Sequence, residues 1–211
     1  HTLFDGLEFC VLRDRLFETL SSEEEIDDSG FDVAMTVLGP DEVSPWLTEH
    51  ASSGDRVGLH VVGRWGAGTG EVDGLALATS DGTAAWVPVD GLGPDDQAAL
   101  AAWLGDEGRP KVLHDAKGPM LALAAWGTPL HGLARDTALS AYLARPDQRS
   151  YDLADLTVRY LKRELRQGGA DDGQLSLEGL DERTAGEVEV LHARAVLDLA
   201  AALDDELEER G

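Results

Sequence analysis

The sequence predicts an α/β fold, a mixed β-sheet flanked by helices, and three observations predict it. Three β-like runs follow one another through glycine-containing turns, the mark of antiparallel neighbours. The pattern then alternates helix and strand, as parallel strands require. The last third is helical and ends in a long amphipathic stretch.

Residues 1–20 place Leu3, Leu7, Val11, Leu12, Leu16 and Leu20 at helical spacing and predict a helix or helix remnant. Residues 21–30, Ser-Ser-Glu-Glu-Glu-Ile-Asp-Asp-Ser-Gly, hold too little apolar surface to offset the entropy of ordering, which predicts a linker. The expected division is therefore 1–30 as a preceding segment with its linker, and 31–211 as the domain. A strand is predicted over 32–38, and Pro40-Asp41-Glu42 suits the first turn of a short helix. Strands are predicted over 56–62, 72–79 and 83–89, with Asp81-Gly82 as a hairpin turn. Next come a helix over 95–104, a strand over 111–114, a helix over 119–126, a strand over 130–134 and a helix over 136–144. Leu153, Leu156, Val158 and Leu161 predict a helix within 151–165, and residues 168–173 read as a loop. Val188, Leu191, Ala195, Leu199, Ala202 and Leu203 share one face of a helix over 181–209.

Composition narrows the function classes. The chain has 211 residues, 43% of them hydrophobic, enough for a full core without crosslinks. Cys10 is the single cysteine, so no intrachain disulfide can form, and a reducing cytoplasmic setting is expected. No apolar run approaches the roughly 18 residues of a membrane span, so no membrane partner is expected. The start, His1-Thr2-Leu3, lacks both Met and a basic-apolar leader, and the chain is expected to be a piece of a longer one. Absent Asn, a single Ile and three Lys point to a GC-rich bacterial coding bias.

A formal charge of −24 argues against a general nucleic-acid surface, which gains affinity by setting Lys and Arg against phosphates. The excess is spread: residues 1–30 carry nine acids against two Arg, and residues 181–211 carry ten against three. Arg159, Lys162, Arg163 and Arg166 form the one basic cluster, spaced to cover a side of a helix. DNA contact by this domain alone is expected to be weak or absent.

Several segments resemble a known family in order and spacing. Lys111-Val112, Trp126-Gly127, Asp136-Thr137, Tyr142-Leu143 and the run Tyr151-Asp152-Leu153-Ala154-Asp155-Leu156 are similar to the middle of the 3′-5′ exonuclease domain of bacterial family A DNA polymerases. Leu3-Phe4-Asp5-Gly6-Leu7-Glu8-Phe9 resembles the end of the 5′-nuclease region that precedes it. The resemblance implies a ribonuclease-H-like sheet of the DnaQ exonuclease type. It also implies a polymerase core beyond residue 211 and a 5′-nuclease region before residue 1 as intramolecular partners, with a monomer as the default.

The family's chemistry uses clustered carboxylates that hold two divalent ions, one activating water and one stabilising the leaving oxygen. The resemblance places the first motif, Asp-x-Glu, on His60-Val61-Val62, where strand alternation sends residues 60 and 62 to one face. The second, Asn-x-x-x-Asp, falls on Asp115 to Pro119, and the third, Tyr-x-x-x-Asp, on Glu189 to Ala193. His60, Val62, Asp115, Pro119, Glu189 and Ala193 are thus the degenerate site positions. Asp115 keeps an oxygen ligand in the weaker position of its motif, where Pro119 removes the essential carboxylate, and Asp198 is too far along the helix to restore the third motif. No catalytic residue, metal or cofactor is expected from this set. The reading is an inactive exonuclease domain with an architectural role.

Two rivals stand beside it. A working nuclease would need relocated ligands such as Glu71, Asp73, Asp90 and Asp136, and an interaction module would use the former cleft or the acidic helix for a repair protein. His60, His114 and His192 each sit at or beside a former motif, and with Asp115 they could form a nitrogen-rich site for Zn²⁺, although separated His residues lacking a close-spaced pair more often serve structure. Gly66-Ala67-Gly68-Thr69-Gly70 follows a strand as a phosphate loop would, but a strand follows it, which favours a hairpin. Trp103 and Trp126 are expected in the core and Trp65 at the surface.

Overall fold

The computed structural model describes residues 31, 33–66, 69–165 and 182–210. The helix expected over 1–20, the linker over 21–30 and the loop over 168–173 lie outside the described residues. A six-stranded mixed sheet organises the rest: β1 (Ala34–Val37), β2 (Val57–Gly66), β3 (Thr69–Ala78), β4 (Thr83–Pro88), β5 (Lys111–Leu113) and β6 (Leu133–Asp136). Its order is β1-β4-β3-β2-β5-β6. The β2, β3 and β4 meander is antiparallel, whereas β1 joins β4, β5 joins β2 and β6 joins β5 in parallel.

Alternation sorts the two faces. Leu59 and Val61 of β2, Leu75 and Leu77 of β3, and Ala85 and Val87 of β4 point into the main core. That core is closed by α1 (Val43–His50), α2 (Pro94–Gly105) and α3 (Lys117–Ala125), through residues such as Trp46, Leu100, Trp103 and Leu123. The opposite face carries small side chains, Ala76, Ala78 and Ala84, together with Trp86 and Val62, and receives α6 (Glu182–Arg210). α4 (Thr137–Ala144) and the short α5 (Leu153–Leu156) pack on the far half of α6 through Ala141, Leu156, Leu199 and Leu203. Trp103 is buried and donates its indole N–H to the Ala51 carbonyl at 3.2 Å, and Trp126 packs against the main core. Trp65 is 41% exposed.

Several boundaries differ from the sequence expectation: β2 runs on to Gly66, β3 starts at Thr69 and α3 starts at Lys117, and three further differences have a visible local cause. The first helix starts at Val43, because Pro40 and Asp41 form a turn in which Asp41 takes a φ of 66°. Asp96, buried near the start of α2, accepts the N–H groups of Asp41 (2.7 Å) and Val43 (3.3 Å), so one carboxylate fixes that turn to the helix beyond it. β6 begins at Leu133 rather than 130, because Gly132 turns with a φ of 70° and Leu130 fills the core from the preceding loop. The helix expected through 165 instead widens into a π turn over Thr157–Leu161 and ends at Lys162, which is left-handed with a φ of 56°. Leu165 then tucks beside Phe31 and Ala195. Consequently Arg159, Lys162 and Arg163 do not line one helix side. Arg163 lies over the Phe31 ring at 5.3 Å, and Arg166 is outside the described residues.

Lys111 is fully buried at the start of β5. Its ammonium donates to the Asp106 carbonyl at 2.8 Å and lies 4.8 Å from the centre of the Trp103 ring. Burial pushes its pKa down to about 8, against the pull of nearby Asp106.

Two outcomes are expected. Leu199→Ala, which opens the fully buried contact between α6 and α4, should cost about 2–5 kcal/mol in urea unfolding. Because the folded pKa of Lys111 lies below that of a free lysine, the unfolded chain binds the extra proton between about 8 and 10.5, so stability should rise with pH across that window. Lys111→Met should remove that part of the slope.

Candidate functional site

β2 and α6 build the candidate site, and glycine sets their distance. A Cβ added to Gly58 would stand 2.1 Å from the Ala193 carbonyl oxygen and 2.9 Å from the Leu197 Cβ, so only hydrogen fits there. About two turns from Ala193 toward the helix start, a Cβ on Gly186 would meet the Trp86 ring at 2.7 Å, and the same ring covers Gly74. Residues 58, 60 and 62 all face α6, as strand alternation requires.

That seating brings four of the six expected positions to one strand-helix seam. Val62 packs beside Trp86, Val190 and Ala193 in an apolar cluster. Next to it, His60 Nε2 lies 3.0 Å from Glu189 Oε2, and His192 Nδ1 lies 3.4 Å from the same oxygen. The two imidazole rings are 4.8 Å apart at their centres and tilted by 58°. All three side chains are partly buried, with relative exposures of 30% for His60, 24% for Glu189 and 20% for His192. Burial pushes the Glu189 carboxyl up, and hydrogen bonds from His192 and His60 outweigh that effect and hold its pKa at about 2.

The other two positions are held elsewhere. Asp115 is exposed, with a φ of 47°, and its N–H donates to Asp136 Oδ1 at 3.1 Å. Pro119 is buried in α3. His114, expected as a partner of the other histidines, is bound through Nδ1 to the Thr137 hydroxyl at 2.8 Å, and burial lowers its pKa despite the nearby Asp136. The nitrogen-rich set anticipated from sequence therefore changes membership: Glu189 joins His60 and His192, in place of His114 and Asp115.

The four carboxylates considered as relocated ligands do not gather into a three-ligand cluster among the described residues. Glu71 pairs with Arg64 at 2.6 Å, and Asp136 accepts N–H groups from Ala116 (2.9 Å) and Ala138 (3.0 Å), capping α4 and anchoring the start of α3. Asp198 is engaged by Arg194, which also donates to the Thr79 carbonyl at 3.0 Å. The hard-metal pair of the resembling family needs several oxygen donors in near-ideal geometry. Val62, Pro119 and Ala193 offer no side-chain donor, and the seam otherwise presents two imidazoles and one carboxylate. These residues do not fit such a pair. Sequence reasoning named Glu189 and His192 separately and missed that they act as a unit; their i, i+3 spacing on a helix facing His60 is the signal that joins them.

The glycine-rich segment joins β2 to β3 as a hairpin, as expected in place of a phosphate loop, with residues 67 and 68 outside the described residues. α3 packs against it so closely that a Cβ on Gly70 would stand 2.6 Å from the Ala122 Cα, and one on Gly118 would stand 2.2 Å from the Trp65 Nε1.

Comparison with known proteins places this geometry. A family model described as DNA polymerase I, ribonuclease H-like domain, matches residues 68–168. DNA polymerase I of Mycobacterium tuberculosis is 51% identical over 211 residues, covering 98% of this chain and 23% of that protein. The chain thus spans about a quarter of the length of the curated relatives it matches. Among solved structures, the POL domain of Pol1 from M. smegmatis, in complex with DNA primer-template and dNTP, superposes with a TM-score of 0.71 at 44% identity, covering 83% of this chain and 28% of that one. Escherichia coli RNase D shares the fold, with a TM-score of 0.65 at 17% identity over 84% of this chain and 46% of that one.

Gly58→Ala tests the seam. Its methyl group has no room against the Ala193 carbonyl, and α6 must shift. The expected loss is about 1–3 kcal/mol in thermal or urea unfolding.

Proposed function

The chain belongs to the ribonuclease H-like domain family of DNA polymerase I, and from that premise we propose that it is a 3′-5′ exonuclease domain without catalytic activity, kept as a scaffold within a repair and replication polymerase. The observation that carries this reading is the seam itself. Where the family's first motif would set two carboxylates, this chain has His60 bound to Glu189 and Val62 packed against Trp86, Val190 and Ala193. An apolar contact cannot hold or position a hydrated divalent ion, so the two-metal route has no anchor.

Residues 1–30 would be the end of the 5′-nuclease region and its acidic linker, and residues 31–211 the domain that spaces that region from the polymerase core. A rigid sheet with helices on both faces suits such a spacer, because it transmits position without chemistry. DNA would be met through the full-length polymerase, with little contribution from this acidic domain. A monomer in a reducing cytoplasm completes the reading. Among the described residues, no helix is long and apolar enough to cross a membrane.

A labelled single-stranded oligonucleotide incubated with the purified chain and Mg²⁺ or Mn²⁺ should remain uncut beyond a mock preparation. Cleavage that His60→Ala or Glu189→Gln abolishes would sink the scaffold reading and establish a rebuilt nuclease.

A further inference from the structure

We propose that His60, Glu189 and His192 form a binding site for one transition-metal ion of the Zn²⁺ class, joining β2 to α6. The inference goes beyond the scaffold reading and does not depend on it. It starts from convergence: one ligand atom from each of the three side chains lies within 4.8 Å of the other two. Two of those separations are 3.0 and 3.4 Å, both to Glu189 Oε2. A tetrahedral Zn²⁺ with bonds of about 2.0–2.1 Å sets its ligand atoms roughly 3.3 Å apart. These two spacings bracket that edge, and the third, between the two imidazole nitrogens, lies within 4.8 Å, so side-chain rotation has to draw the histidines together around the ion.

The donor chemistry selects the ion. Two imidazole nitrogens and one carboxylate are the ligand types that favour Zn²⁺ over Mg²⁺ or Ca²⁺, which require oxygen. Three protein ligands leave a fourth position for water.

The scaffold is set before any ion arrives. Glu189 and His192 are one helical turn apart on α6, and His60 faces them from β2. The contact of Gly58 under Ala193 fixes the distance between the two elements. Partial burial of all three residues shields the site while leaving a path for the ion. Bound there, the ion would pin the helix to the centre of the sheet.

The test uses the 211-residue chain, stripped with a chelator and titrated with Zn²⁺ in competition with a chromophoric chelator. One equivalent is expected to bind, Co²⁺ in its place should give the visible absorption of a four-coordinate ion, and Zn²⁺ should raise the melting temperature. His60→Ala and His192→Ala should each weaken binding by roughly 100-fold or more, whereas His114→Ala should leave it unchanged. Melting curves of the metal-free variants, matched to wild type, keep a folding defect from imitating lost binding. The absence of saturable Zn²⁺ binding, or binding that survives His60→Ala combined with His192→Ala, overturns the proposal. None of these readouts involves oligonucleotide cleavage, so failure here and failure of the scaffold reading are told apart.

Discussion

Close approach of α6 to the sheet is the constraint on which the rest of the molecule depends. Gly58 lets the Ala193 backbone lie against β2, and Gly186 lets the Trp86 ring lie against the helix start. With the helix seated, its far half becomes a platform. Asp204 receives Arg56 beside β2 and Arg135 from β6, and Glu206 receives Arg145 from the end of α4. Remote parts of the chain are thereby referred to one element, and the sheet's short parallel strands β5 and β6 are held from behind. Van der Waals contact sets the distance, and the partly exposed ion pairs add modest support along the seated helix.

The large acidic excess looks different once its members are placed. Asp96 and Asp136 each gather backbone N–H groups at the start of helices, Asp204 and Glu206 hold arginines, and Glu189 holds two histidines. For these five of the 41 acids, what a charge count reads as solubility is structural. The burial of Lys111 shows the same economy from the other sign, with its ammonium serving one carbonyl and one ring.

The sheet and its helices were largely legible because both are periodic. The runs that became β2, β3 and β4 showed as three neighbouring strands joined by turns, and Leu199 and Leu203 fell on the expected apolar face of α6. Boundaries set by single backbone conformations were not legible. Asp41 and Lys162 are left-handed without being glycine, a choice that their residue types do not announce, so the first helix started late and the helix after residue 153 stopped early. At the site, strand alternation put His60 and Val62 on one face, and in the fold that face is the one that α6 covers. The grouping of His60 with Glu189 in preference to His114 depended on the rotation of α6 and on the Thr137 hydroxyl, neither of which a linear pattern records.

Val62 has one more implication, and it concerns mutational accessibility. A valine codon lies one nucleotide from a codon for aspartate or glutamate, so sequence alone would make placing an acid at this position look easy. In the folded chain that acid would stand in the apolar cluster of Trp86, Val190 and Ala193, where it would lose water without gaining packing. An isolated step toward an acidic pair is therefore unfavourable before any benefit arises, and the same holds for a change at Ala193 alone. The packing thus sets a higher barrier to an acid at this seam than the one-nucleotide distance suggests.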